Sequence, residues 1–253
     1  MNYLAIFEDE LLAPNQARLS GSRAKYALEV HKPVQGLEMS AFVVNGAIKK
    51  ATVTSITPDQ ILLTLRDFAP QLPVVPFELI VAVPRPQTVR KVLQLTATFG
   101  IRALHLIRTE NVIKSYLSSK RLDPESLKED LLLGMEQSGT SVTPEVFIHH
   151  RFQPFIEDLL PKRLELFKER DNTPPLTLIA DTHFKNPQKL SDLPKISTKR
   201  SVFIALGPEA GWNLHEVHKF QELGFSVISL GDRILRVDTA CVSAIAQTQM
   251  LCR

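Results

Sequence analysis

Cysteine is nearly missing from this chain. Its 253 residues include two, Cys241 and Cys252. Two are too few for a disulfide framework, and these are not spaced as a CxxC pair. That excludes the disulfide-dense secreted class, and a reducing, cytoplasmic setting is expected. Long apolar runs are missing too. The longest, Val74 to Pro84, contains Glu78 and is too short to cross a bilayer, so no membrane partner is expected. The opening MNYLAIFEDE lacks the basic-then-apolar pattern of a secretory leader. Neither GxGxxG nor a P-loop pattern occurs, which leaves the dinucleotide and P-loop readings unsupported. Charge of one sign is not in excess. The 30 basic and 27 acidic residues leave +3, which permits an anionic partner without requiring one.

What is present is an ordinary globular composition, 44% hydrophobic and 23% charged, long enough to bury a real core. Pro70, Pro73 and Pro76 make a stiff, extended spacer and mark a domain boundary. The first domain, 1–72, reads as short strands with one helix over Arg23 to Val30, capped by Ser20 or Ser22. Asn45-Gly46 between two strand-like runs is a hairpin signal. A small β-barrel is expected. This stretch carries 7 basic and 7 acidic residues, so the net charge lies in the remainder. The second domain, 77–253, alternates strand and helix, which argues a mostly parallel α/β sheet.

In such a sheet, ligands bind at the carboxyl ends of strands. Three loops are placed there. They are Ala180 to His183, Gly207 to Trp212, and Gly231 to Arg236. The second leads into Asn213 with Glu216 three residues on, a capping box. The third leads to Asp238 or Thr239 as the cap of the last helix. Glycine in two of the loops allows close backbone approach to a ligand.

The two glycine loops together carry a specific resemblance. Leu-Gly-Pro-Glu-Ala-Gly-Trp at 206–212 and Leu-Gly-Asp-Arg-Ile-Leu-Arg-Val-Asp-Thr-Ala at 230–240 closely resemble the paired C-terminal motifs of the RsmE family. These are SPOUT-class methyltransferases acting on uridine N3 of 16S ribosomal RNA. Ala210 stands for a glycine and Asp238 for a glutamate. Glu136-Gln137-Ser138 with Pro144-Glu145-Val146 looks like a further family stretch. The resemblance implies a trefoil-knotted α/β sheet preceded by a PUA-like RNA-binding barrel. It also implies bound S-adenosylmethionine, a homodimer with the last helix at its interface, and ribosomal RNA or the small ribosomal subunit as partner. The chain departs from the family at Tyr3, where an arginine is usual, and at Leu95, Thr98 and Thr140. Two other readings stay open: a SPOUT enzyme with a different RNA target, or an inactive RNA- or ribosome-binding relative.

The resemblance implies a cofactor site of Ala180, Leu206, Gly207, Pro208, Glu209, Gly211, Leu230, Gly231, Ile234, Leu235 and Arg236. Arg236 is the candidate cation for the charge that develops when N3 is deprotonated. Glu209 is a candidate base, or a partner of Arg233 or Arg236 that holds the loops together. Arg85, Arg90, Lys91 and Lys32 are candidate RNA contacts, of the kind that position a backbone without reading sequence. Trp212 reads as packing over a helix start, and His149-His150 as surface. His215 and His218 share a helix, but with no third ligand in view no metal is expected.

Overall fold

The structure, a computed structural model, describes residues 2–182 and 184–252. These fall into two compact units. The first comprises the chain up to Val74 together with Thr96–Gly100 and Lys128–Thr143. The second comprises Val75–Leu95, Ile101–Leu127 and the chain from Pro144 onward. The break at Val74 lies inside the proline spacer. The proline spacer places 96–100 and 128–143 in the second domain; in the structure they group with the first.

The first unit is built from β1 (Leu4–Ile6), β2 (Leu11–Ala13), β3 (Gln16–Ser20), α1 (Gly21–Val30), β4 (Glu38–Val43), β5 (Ile48–Thr57) and β6 (Gln60–Ala69). They form one sheet of order β1-β4-β5-β6-β3-β2, in which β1 and β4 are parallel and the other neighbours antiparallel. The β4–β5 turn is the expected hairpin, with Asn45 at φ 60°. Asparagine tolerates that left-handed backbone because its short polar side chain bonds locally. Alternation does the rest. Ile61, Leu63 and Leu65 of β6 are buried with Leu4, Ile6, Leu19 and Val53, while α1 adds Ala24 and Ala27. β2 and β3 do not stand out in the sequence, because β2 is only three residues long and β3 has only Ala17 and Leu19 as apolar positions. Helix α1 starts at Gly21, with Ser20 in the cap position but making no side-chain cap bond.

The later stretches join this unit through Glu136, which is fully buried. Its carboxylate accepts from the Ala5 N–H at 3.0 Å and from the Tyr26 hydroxyl. Tyr3 packs its ring over Gly139, where a Cβ would approach within 2.6 Å of the ring. Gly139 also has φ 79°, so glycine is required there twice over.

The second unit contains β7 (Val75–Ala82), most of α2 (Pro86–Thr98), β8 (Ile101–Ile107), the start of α3 (Pro124–Ser138) and β9 (Glu145–His149). Next come α4 (Phe152–Pro154) and a π-helical stretch (Phe155–Leu159), which run on into α5 (Leu160–Asp171). The chain ends with β10 (Leu176–Ala180), β11 (Gln188–Lys189), β12 (Val202–Leu206), α6 (Leu214–Glu222), β13 (Ser226–Ser229) and α7 (Val237–Gln249). Every pairing in its sheet, order β11-β13-β10-β12-β7-β8-β9, is parallel. Residues 77–82 of β7 and all of β12 are buried, as expected of central strands covered on both faces. β7, β8 and β9 run outward in sequence order, whereas β12, β10 and β13 lie on the other side of β7. The order therefore switches beside β7, and ligands in open α/β sheets bind at such a point.

Candidate active site

A cavity of about 640 Å³ opens where β10, β12 and β13 end. Every residue assigned to the cofactor site from sequence lines it, from Ala180 through Leu206–Glu209 and Gly211 to Leu230, Gly231 and Ile234–Arg236. Arg85 lines it as well. His183, the last residue of the first loop, lies outside the described residues.

The loop after β12 is held open by an aromatic brace. Trp212 is buried, donates from its indole Nε1 to the Ala180 carbonyl at 3.1 Å, and packs edge-on against Phe220 at 5.2 Å. It is thus a wall joining two of the loops. A Cβ on Gly207 would lie 3.2 Å from the same Nε1, so Gly207 makes room for the indole. Gly231 has φ 129° and nothing within 4 Å of its would-be Cβ; there the requirement is conformational.

Glu209 does not pair with Arg233 or Arg236. Its Oε1 accepts the Arg85 N–H at 3.0 Å and lies 3.9 Å from Arg85 Nε. The carboxylate thus ties the turn after β7 to the loop after β12. Arg236 Nε lies 3.7 Å from Asp238 Oδ1, and its side chain is 74% exposed. Asp238 Oδ2 accepts from Lys91 Nζ at 2.9 Å. Burial opposes ionisation of Asp238, but Lys91 and Arg236 outweigh it and hold the carboxyl below the usual carboxylate range. Helix α7 accordingly begins at Val237 with Arg236 as its cap residue, ahead of the Asp238 or Thr239 expected. The Asp238 side chain is engaged by the two cations instead.

Of the candidate RNA contacts, Arg85 reaches the cavity. Lys91 is committed to Asp238, Arg90 lies on α2 away from the cavity lining, and Lys32 belongs to the first unit with φ 47°. Thr140 is buried, with Oγ1 3.1 Å from Ser138 Oγ, and Thr98 Oγ1 donates to the Gly134 carbonyl. His215 and His218 both lie on α6. Among the described residues no group of three or more potential metal ligands comes together.

Two features were missed. The capping box at Asn213 forms as read, but Glu216 also accepts the Glu110 N–H at 2.9 Å through its second oxygen. Asn213 Nδ2 donates back to Glu110 at 2.7 Å, and Asn111 Nδ2 donates to the Gly211 carbonyl at 3.0 Å. The chain after β8 is thereby pinned to the cavity loop, which no local pattern announces. The second is a buried charge network. Glu78, fully buried, takes Arg163 at 2.5 and 3.0 Å and His105 Nε2 at 3.0 Å. His105 Nδ1 faces His149 Nε2 at 3.1 Å. His149 is therefore a network member rather than a surface residue. Burial, then the neighbouring His105, Arg163 and His150, push its pKa down to about 4.

A mixed α/β unit with a parallel sheet and a cavity at its switch point, in a chain that also holds a strand-rich unit, defines the class. Residues 70–249 match the RNA methyltransferase domain family, and the chain belongs to that family. It is 28% identical to Ribosomal RNA small subunit methyltransferase E of Treponema pallidum over 96% of this chain and 89% of the relative. To the protein of that name from Synechocystis it is 23% identical, over 99% of this chain and 78% of the relative. The crystal structure of Ribosomal RNA small subunit methyltransferase E from Neisseria gonorrhoeae, bound to S-adenosyl methionine, superposes with a TM-score of 0.77. There the identity is 22%, covering 99% of this chain and 98% of the other. The family membership read from the paired glycine loops thus holds, on a family match over 70–249 and a relative aligned over 96% of the chain.

Proposed function

We propose that this protein is an S-adenosylmethionine-dependent methyltransferase of small-subunit ribosomal RNA, and that its target atom is N3 of a uridine. One observation carries the reading: the 206–212 and 230–236 loops, distant in sequence, converge with Ala180 on one cavity. The cavity suits the cofactor. Its volume lies within the ~300–1,000 Å³ typical of small-molecule sites, and apolar side chains and bare glycine backbone supply much of its lining.

The cofactor, when bound, supplies a methyl group on a positively charged sulfur. Leu206, Leu230, Ile234 and Leu235 line the cavity and would wall the adenine, and Gly207, Gly211 and Gly231 let the main chain come close. Pro208 stiffens the first loop. Glu209 holds Arg85 at the rim. Uridine N3 must lose its proton before it attacks, and negative charge then spreads to the flanking carbonyl oxygens. Arg236, mostly exposed at the cavity and flanked by Asp238, is placed to stabilise that charge. In-line positioning of base and methyl supplies much of the remainder.

The reading extends to the first unit as a PUA-like RNA-binding domain, to a trefoil knot in the second, to a homodimer and to a cytoplasmic setting. Support for the dimer comes from α7. Val242 of α7 is 42% and Met250, the residue capping its end, 74% exposed, and with exposed Ala246 between them they follow i, i+4, i+8 spacing. Exposed apolar stripes of this kind mark an interface. The test is nucleoside mass spectrometry of ribosomal RNA from cells lacking the protein, with and without its return. N3-methyluridine should vanish and reappear; its persistence without the protein would sink the assignment.

A further inference from the structure

The chain between β8 and α3 is a strongly basic stretch tied at its start to the loop after β12. Residues 108–121 carry Arg108, Lys114, Lys120 and Arg121 against Glu110 alone. This net of +3 equals that of the whole chain, so all other residues together sum to zero. The single acid is engaged, since Asn213 Nδ2 donates to its carboxylate.

The stretch is shaped, not slack. Thr109, Val112 and Leu122 are buried, and its start is pinned by Glu110 N–H to Glu216 and by Asn111 to the carbonyl of Gly211, a cavity-lining residue. Lys114–Tyr116 and Lys120–Leu122 are single 3-10 turns, the second capped by the Ser119 hydroxyl, which accepts from Arg121 N–H at 3.2 Å. Between the buried anchors, Lys114, Ser115, Ser118 and Lys120 are exposed and Tyr116 is half-buried. Basic side chains beside an aromatic ring on a preformed surface suit a nucleic-acid strand, where cations take phosphates and the ring stacks a base.

We propose that residues 108–121 are an RNA-binding ridge that grips backbone phosphates beside the target nucleotide; this deepens, and rests on, the RNA methyltransferase reading. The tether to Gly211 joins the start of the ridge to the wall of the methyl-donor cavity. Phosphate contacts made there would hold the strand in register without selecting its sequence.

The test compares the parent protein with a triple variant, Lys114→Gln, Lys120→Gln and Arg121→Gln. A control triple, Lys162→Gln, Lys168→Gln and Lys199→Gln, removes the same charge from exposed lysines elsewhere. Binding to in vitro transcribed small-subunit ribosomal RNA is followed against KCl concentration, with cofactor titrations and methyl transfer measured alongside. Each lost phosphate contact should flatten the log–log salt dependence by roughly 0.7–0.9. The ridge variant should therefore lose about 2 in slope with its cofactor affinity unchanged, while the control follows the parent. Equal slopes in parent and ridge variant, or an equal loss in the control, would overturn the ridge. A parent that binds the RNA with the slope lost in the ridge variant, yet transfers no methyl group, would leave the ridge standing and sink the enzymatic reading.

Discussion

Lys91 Nζ donates to Asp238 Oδ2 at 2.9 Å, tying helix α2 to the first turn of α7 beside Arg236. A lysine that looks in sequence like an RNA contact is in the fold the anchor of the residue flanking the proposed catalytic cation. Lys91→Met should therefore lower turnover by severalfold while leaving the salt dependence of RNA binding as in the parent. Stopped-assay kinetics and binding across KCl concentrations separate the two roles.

Arg236→Ala should cut single-turnover methyl transfer by roughly a hundredfold or more, the usual cost of removing a group that stabilises developing charge. Cofactor affinity by calorimetry should change little, since the guanidinium is mostly exposed. Equal loss of both would make Arg236 part of the cavity wall.

The two glycines should fail differently. Gly207→Ala drives a methyl into the Trp212 indole, so it should disturb the Trp212–Ala180 bond and change tryptophan fluorescence along with cofactor binding. Gly231→Ala meets no neighbour but must hold φ 129°, a backbone cost of about 1–3 kcal/mol. It should weaken cofactor binding with the fluorescence unaltered.

The Glu78 network predicts an acid-sensitive second unit. Burial raises the Glu78 pKa, but His105 and Arg163 outweigh it and hold the carboxylate ionised below its ordinary value. Glu78→Ala should cost about 3–5 kcal/mol, the penalty for stranding buried partners. His149 is depressed to about 4, so below its unfolded value near 6.5 the unfolded chain takes up the proton first. Stability is then full above pH ~6.5 and falls as pH drops toward 4. Thermal melts between pH 7.5 and 5 should show this fall, and His149→Gln should flatten it.

In the first unit, Tyr26→Phe removes a hydroxyl that bonds Glu136 and leaves that buried carboxylate short of a donor. A loss of about 1–3 kcal/mol in denaturant unfolding is expected. Catalytic parameters measured well below the unfolding midpoint should stay near those of the parent.

Local chemistry determined much of this protein from the sequence by itself. Asn45-Gly46 turned the hairpin because few other residues accept that backbone, Asn213 and Glu216 started α6 by reciprocal bonding, and the succession of strand and helix patterns gave the parallel sheet. The paired loops marked the cavity because glycine and apolar residues at strand ends are a short-range pattern. What only the tertiary structure decided are the partners of charged groups: Glu209 with Arg85, Lys91 with Asp238, Glu78 with His105 and Arg163, and His105 in turn with His149. It also decided that 96–100 and 128–143 pack in the first unit, through Glu136 and Ala5, 131 residues apart. An ion pair or buried carboxylate has no sequence period. Its partner is set by which strands and helices the folded chain brings within a few ångströms, and burial then selects the pairing because an unpaired charge there is too costly.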